Sequence, residues 1–198
     1  MRKSALKIVV LYLLLMTCFC ALMTISYCIP VELLHLNGEE SAKLLEEEGS
    51  YPKSYISGIA YDNYTCAVMI NEAVHGGGSS SPFVAAMKNP FVVAGGGSGV
   101  ESLSGWAEDP GQIAEGEYSR YWNGYLVFLK PLLLLFDVQE IRAILCVLFA
   151  IAFVVCVVAL LRRLGQRIGA MVSVALGATM AYCGFFENAS VLPFFFSF

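Results

Sequence analysis

Residues 143–161 read AILCVLFAIAFVVCVVALL and are followed at once by RRLGQR at 162–167. A run of nineteen residues without a charge, rising about 1.5 Å per residue as a helix, reaches nearly across a hydrocarbon core of roughly 30 Å. Only a helix satisfies every backbone polar group within such a segment when lipid surrounds it. The three arginines that close it, Arg162, Arg163 and Arg167, belong on the cytoplasmic side, where short loops carry their excess of basic residues.

Two more runs share this pattern. Ile8 to Ile29 is a charge-free stretch of twenty-two residues, preceded by Arg2, Lys3 and Lys7 and followed by Pro30. A cleavable signal peptide has a shorter apolar region and a small-residue cut site, whereas this run continues into Tyr27-Cys28-Ile29-Pro30. An uncleaved anchor is therefore expected. The third run extends from Ile168 to about Phe186. Basic clusters before the first run and between the second and third agree on one topology. The amino terminus is cytoplasmic, and the long segment between the first two runs lies outside the plasma membrane.

The expected fold class is thus an all-α membrane protein with three transmembrane helices and a long extracytoplasmic loop that holds short helices and an interfacial helix. Its parts are a cytoplasmic basic tail (1–7), a first span (8–29), an acidic loop (30–123), an interfacial or re-entrant segment (124–142), a second span (143–161), a basic connection (162–167) and a third span (168–186). Residues 187–198 read as the start of a further apolar element, so the chain is expected to continue past Phe198 in a longer protein.

Composition agrees with lipid as a principal partner. Hydrophobic residues make up 58% of the 198 positions and charged residues 14%, against roughly 45–50% and about 25% in soluble domains. Between Val31 and Arg120, thirteen acids oppose four bases, a net of −9. Such a segment repels phosphate backbones, which excludes nucleic acid as its partner. Of the seven cysteines, Cys18, Cys20, Cys146 and Cys156 lie inside apolar runs, where a thiol serves as a small hydrophobe. Cys66 stands in the polar loop, and a bond to Cys28 or Cys183 is open to it in an oxidising compartment. No cysteine or histidine spacing resembles a zinc site.

Segment 124–136 is apolar but only thirteen residues long, and it carries Lys130 followed by Pro131. A span there would strand Arg162, Arg163 and Arg167 on the wrong face, so an interfacial placement is expected, with aromatic anchors at its start and Lys130 snorkelling. In the third span, Gly169, Ser173, Gly177 and Ala181 recur every four residues and form a face of small side chains suited to a partner helix. The loop begins with Leu33 to Glu48, where leucines alternate with acids as in a short amphipathic helix. Two glycine clusters, 76–78 and 95–99, lack the following Lys-Ser/Thr of a phosphate-binding loop and read as flexible linkers.

Chemistry is expected in two places. Tyr61-Asp62-Asn63-Tyr64-Thr65 sets a carboxylate among aromatics and amides, suited to accept a proton from an attacking hydroxyl or to hold a divalent metal; Asn71, Glu72 and His75 follow at distances that complete such a site. An aspartate in a turn has the same appearance. Asn63-Tyr64-Thr65 and Asn188-Ala189-Ser190 also fit the N-glycosylation pattern. The second place is Glu117-Tyr118-Ser119-Arg120-Tyr121-Trp122-Asn123-Gly124-Tyr125, where Arg120 and Lys130 suit a lipid phosphate and the aromatic rings suit a sugar.

A basic amino terminus, one span, a long loop with an early aspartate, an interfacial segment and closely spaced spans together form a layout that resembles the amino-terminal portion of C-type membrane glycosyltransferases. Those enzymes draw sugars from polyprenyl-phosphate donors. The phrases 61–65 and 118–126 are also similar to those of multi-span bacterial membrane proteins. The resemblance implies that Asp62 is the catalytic acid of the first outer loop and deprotonates the acceptor. It further implies that Glu72 and His75 contact metal or substrate, and that Arg120, Trp122 and Lys130 face the donor. Where the family commonly has a second acid beside this aspartate, Asn63 stands here. The competing expectation is a non-catalytic assembly partner or transporter subunit; the three spans carry no ionisable residue in their interiors, which speaks against ion transport.

Overall fold

The computed structural model describes residues 2–53, 60–76, 80–93, 99–110, 115–117, 123–182 and 192. The chain is mostly helical. α1 is Arg2–Ser26, α2 His35–Glu48, α3 Asn63–Val74, α4 Pro82–Lys88, α5 Gly99–Glu108, α6 Leu126–Leu133, α7 Val138–Leu164 and α8 Gln166–Tyr182. Strands β1 (Pro90–Val92) and β2 (Glu115–Glu117) form a small antiparallel sheet with Phe91 opposite Gly116, an addition to the all-helical expectation.

Two helical stretches, Leu6–Ser26 and Val138–Leu164, are long and apolar enough to cross a membrane. The first stops three residues short of the expected Ile29, because the chain turns at Tyr27–Ile29 and enters a short 3-10 turn at Val31–Leu33. The second begins five residues before the expected Ala143. Asp137 accepts from the Glu140 backbone N–H at 2.9 Å and the Glu140 carboxylate accepts from the Asp137 N–H at 3.2 Å. This reciprocal pair satisfies two otherwise orphaned helix-end donors. The helix thus starts there although Glu140 and Arg142 interrupt the apolar run. α8 is described for seventeen residues, to Tyr182; the expected last part of the third span, 183–186, lies outside the described residues.

α8 folds back on α7 as a tight hairpin closed by Gly165, whose φ of +78° suits a residue without a Cβ. Gly169 and Ser173 are buried in that contact. A Cβ on Gly169 would lie 2.7 Å from Leu161 Cα and 2.8 Å from Leu160 O, so the two backbones approach as closely as small residues allow. The expected small-residue face is therefore used within the chain, although Ala181 at its end is exposed.

Between α1 and α7 the chain builds a helical domain on the C-terminal end of α1 and the N-terminal end of α7. α2 arises as expected, packs on α3, α5 and α7, and buries Leu45 completely. Trp106 of α5 fills the centre, edge-on to His35 at 5.3 Å between ring centroids. Gly38 is what lets Trp106 approach α2, since a Cβ there would meet its ring at 3.0 Å. The linker reading of the glycine clusters does not extend to their ends: a Cβ on Gly99 would lie 2.5 Å from the Tyr64 carbonyl oxygen and one on Gly76 2.8 Å from Val31. Both positions are packed.

α6 departs furthest from its expected place. Leu126, Leu129, Lys130 and Leu133 are all fully buried, and the helix packs against α1, α3 and α7. It is a packed element of the domain with an exposed edge at Phe128.

Candidate functional site

Two polar clusters lie within this domain, one at each end of α3. Asp62 immediately precedes the helix and Glu72 lies ten residues along the chain from it, a separation of about 15 Å on a helical path. The structure therefore does not bring Asp62 and Glu72 into one site.

Glu72 belongs to the cluster at the end of α1. Its Oε2 accepts from Asn89 Nδ2 at 2.6 Å and from the Tyr125 hydroxyl in a very short bond. The Asn89 carbonyl oxygen accepts in turn from the Tyr27 hydroxyl at 2.5 Å, and Lys130 Nζ lies 3.9 Å from the centroid of the Tyr27 ring. Side chains from the turn after α1, from α3, from the residue that closes α4 and from α6 thus converge. Asn89 is placed by local chemistry: Ser81 caps α4, Pro82 opens it, and Asn89 closes it with φ 52°, a left-handed conformation that asparagine tolerates. Lys130 is fully buried instead of snorkelling, because the aromatic face supplies the electrostatic partner that water would otherwise give.

Among the described residues, Glu72 Oε1 and Lys130 Nζ make no hydrogen bond. Burial pushes the Glu72 carboxyl up to about 7, against the opposing influence of the Tyr125 and Asn89 donors. Burial lowers the Lys130 ammonium to about 8. The Tyr27 hydroxyl is raised by burial and then by the nearby Glu72 carboxylate. His75 caps the C-terminus of α3, half-buried, with its backbone N–H on Asn71 O at 3.2 Å.

Asp62 belongs to the other cluster. It is the N-cap of α3: Oδ1 accepts from Thr65 N at 2.9 Å and Oδ2 from Thr65 Oγ1 at 2.7 Å. Close by, Arg142 Nη1 donates to both oxygens of Glu48 at 3.0 and 2.9 Å, and Nη2 donates to Asn63 Oδ1 at 2.9 Å. Asn63 Nδ2 donates to Glu48 Oε2 at 2.8 Å and to Gly49 O at 3.0 Å. With its amide so engaged and fully buried, Asn63 is no glycan acceptor in this fold, although its sequence pattern fits one; Asn188 lies outside the described residues.

Cys66 is a free buried thiol pushed up to about 12, by burial first, with Arg142 opposing and Asp62 adding to the shift. Cys28 is also free, and exposed; Cys183 lies outside the described residues. Arg120 and Trp122 lie outside them as well. No group of three or more His, Cys, Asp or Glu side chains able to hold a metal ion assembles among the described residues.

Sequence reasoning missed Tyr27, Glu48, Asn89 and Arg142. Asn89-Pro90 after a Ser-Pro helix start was a readable stop signal, but the pairing of Glu48 with Arg142 across the domain left no local trace. No family model matches the chain, and neither a curated protein nor a solved structure matches it.

Proposed function

We propose that the chain is the membrane-anchored amino-terminal portion of a glycosyltransferase that moves a sugar from a polyprenyl-phosphate donor to a cell-envelope acceptor. In this reading three spans lie in the plasma membrane, the amino terminus is cytoplasmic, and the helical domain meets the lipid-linked donor outside. The observation that supports it is the position of the Asp62 carboxylate at the start of α3, next to Asn63, which ties that end of the helix to Arg142 near the N-terminal end of α7. A half-exposed carboxylate suits deprotonation of an acceptor hydroxyl. Arg120 and Trp122 keep their proposed donor contacts, whereas Lys130, fully buried, is withdrawn from them.

A second reading, a non-catalytic assembly partner, is favoured by the occupation of both Asp62 oxygens by Thr65. Asp62→Asn separates the two. Asparagine caps a helix about as well as aspartate, so α3 stays intact while the charge disappears. The measurement is transfer of labelled sugar from a polyprenyl-phosphate donor in membranes that contain the whole natural protein. Loss of transfer with unchanged protein level supports the enzyme; undiminished transfer removes Asp62 as base.

A further inference from the structure

α4 has an apolar surface that the packing of the domain does not use. Phe83 is 54% exposed, and Val84 and Met87 are exposed beside it. This helix packs on α1, and Asn89, directly after it, is fixed to Tyr27 just past the end of α1. Met23 and Ser26 are buried at that end, while Leu22 and Ile25 on the same turns remain exposed. α1 also packs on α6, whose Phe128 is 62% exposed. Met23 lies three residues inside the apolar stretch that ends at Ser26, a depth of about 4.5 Å along the axis. The domain thus covers α1 below the end of its apolar stretch. Lys88, the last residue of α4, is paired with Glu117 at 2.8 Å.

We propose that α4, together with the exposed edge of α6, is inserted into the acyl-chain region of the leaflet around the end of α1, so that the domain is seated in the bilayer and not merely tethered above it. The occupant of this surface is lipid because the surface continues the exposed apolar side of α1 and presents no acid of its own. Apolar side chains at such a depth contribute to interfacial binding in proportion to the area they bury. The inference rests on the proposed placement of α1 across a bilayer.

The test places p-benzoylphenylalanine in turn at Leu14, Phe83, Met87 and Glu101 of the full chain in vesicles of phosphatidylethanolamine and phosphatidylglycerol. Irradiation is followed by intact-mass measurement. The expected result is a mass increase of one phospholipid at positions 14, 83 and 87, and none at 101, an exposed acidic position on α5. Lipid adducts at 14 without any at 83 or 87 overturn the seating while leaving α1 in the bilayer. Crosslinks from 83 or 87 to a second chain overturn it in favour of a protein partner. Absence of adducts at 14 removes the placement of α1, and this inference with it.

Discussion

The Tyr27 hydroxyl donates to the Asn89 side-chain oxygen at 2.5 Å, while the amide of the same asparagine donates to Glu72 at 2.6 Å. One buried side chain therefore holds the end of α1 to the middle of the domain. Asn89→Ala leaves Tyr27 without its acceptor and Glu72 with one donor fewer, at a cost of about 1–3 kcal/mol per buried unsatisfied group. Asn89→Gly loses the same bonds but suits the φ of 52°, and is expected to be less destabilised than the alanine variant by about 1 kcal/mol. Unfolding midpoints in detergent micelles check the order wild type, glycine, alanine.

Glu72 sets a pH dependence. Its carboxyl is raised from 4.5 to about 7 in the folded chain, so the native state holds a proton that the unfolded chain releases. The stability associated with this proton is whole below about 4.5 and is lost as pH rises through about 7, by on the order of 3 kcal/mol. Lys130 is lowered from 10.5 to about 8; its contribution is present above the upper value and is lost as pH falls through the lower, outside the Glu72 window. Glu72→Gln imitates the protonated carboxyl. Urea titrations between pH 4.5 and 7.5 are expected to slope downward for wild type and to lie flat for the glutamine variant. A slope that survives the substitution assigns the effect elsewhere.

Arg142 joins α2, α3 and α7 through one guanidinium, with donors fixed in a plane to reach Glu48 and Asn63 together. Arg142→Lys keeps the charge but has no planar fork. The variant is expected to lose about 1–3 kcal/mol through the unmet groups of Glu48 and Asn63. Faster amide exchange at the start of α3 would locate that loss, and protection equal to wild type there would contradict it.

The separate legibility of fold and site follows from the range over which each signal acts. Charge-free runs and the amphipathic pattern of α2 are local signals; the Asp137-x-x-Glu140 phrase is local too, but the charges of Glu140 and Arg142 hid it and set the expected start at Ala143. The site depends on contacts between residues far apart in the chain, such as Tyr27 with Asn89 and Glu48 with Arg142. Lys130 misled for a physical reason: a lysine beside Pro131 in an apolar stretch reads as a snorkelling base, and only the distant Tyr27 ring makes its burial tolerable. Asp62 is ambiguous in sequence because a helix cap and a catalytic base call for the same residue in the same place. Its bonds to Thr65 identify the cap without addressing the base.

The hairpin of α7 and α8 offers a paired test. Gly169→Ala puts a methyl 2.7 Å from Leu161 Cα, a backbone atom that cannot swing aside, and is expected to cost about 1–3 kcal/mol by overpacking. Gly177→Ala meets only Phe153 Cζ at 3.6 Å and gains helix propensity of up to about 1 kcal/mol. Thermal denaturation in lipid nanodiscs should lower the midpoint for the first and hold or raise it for the second. Equal behaviour of the two variants contradicts the packing.

The capping box at Asp137 also fixes where the long helix becomes one continuous rod. From there to Leu164 the helix runs unbroken for twenty-seven residues, about 40 Å, with Ile141 and Leu145 gripped by the domain. Within that length the helix has no proline, and its only breaks are at its ends. α1 instead stops at Ser26 and passes into a turn. The phenol of Tyr27 and the amide of Asn89 therefore join the domain to α1 at a turn, while Ile141 and Leu145 join it to α7 along an unbroken helix.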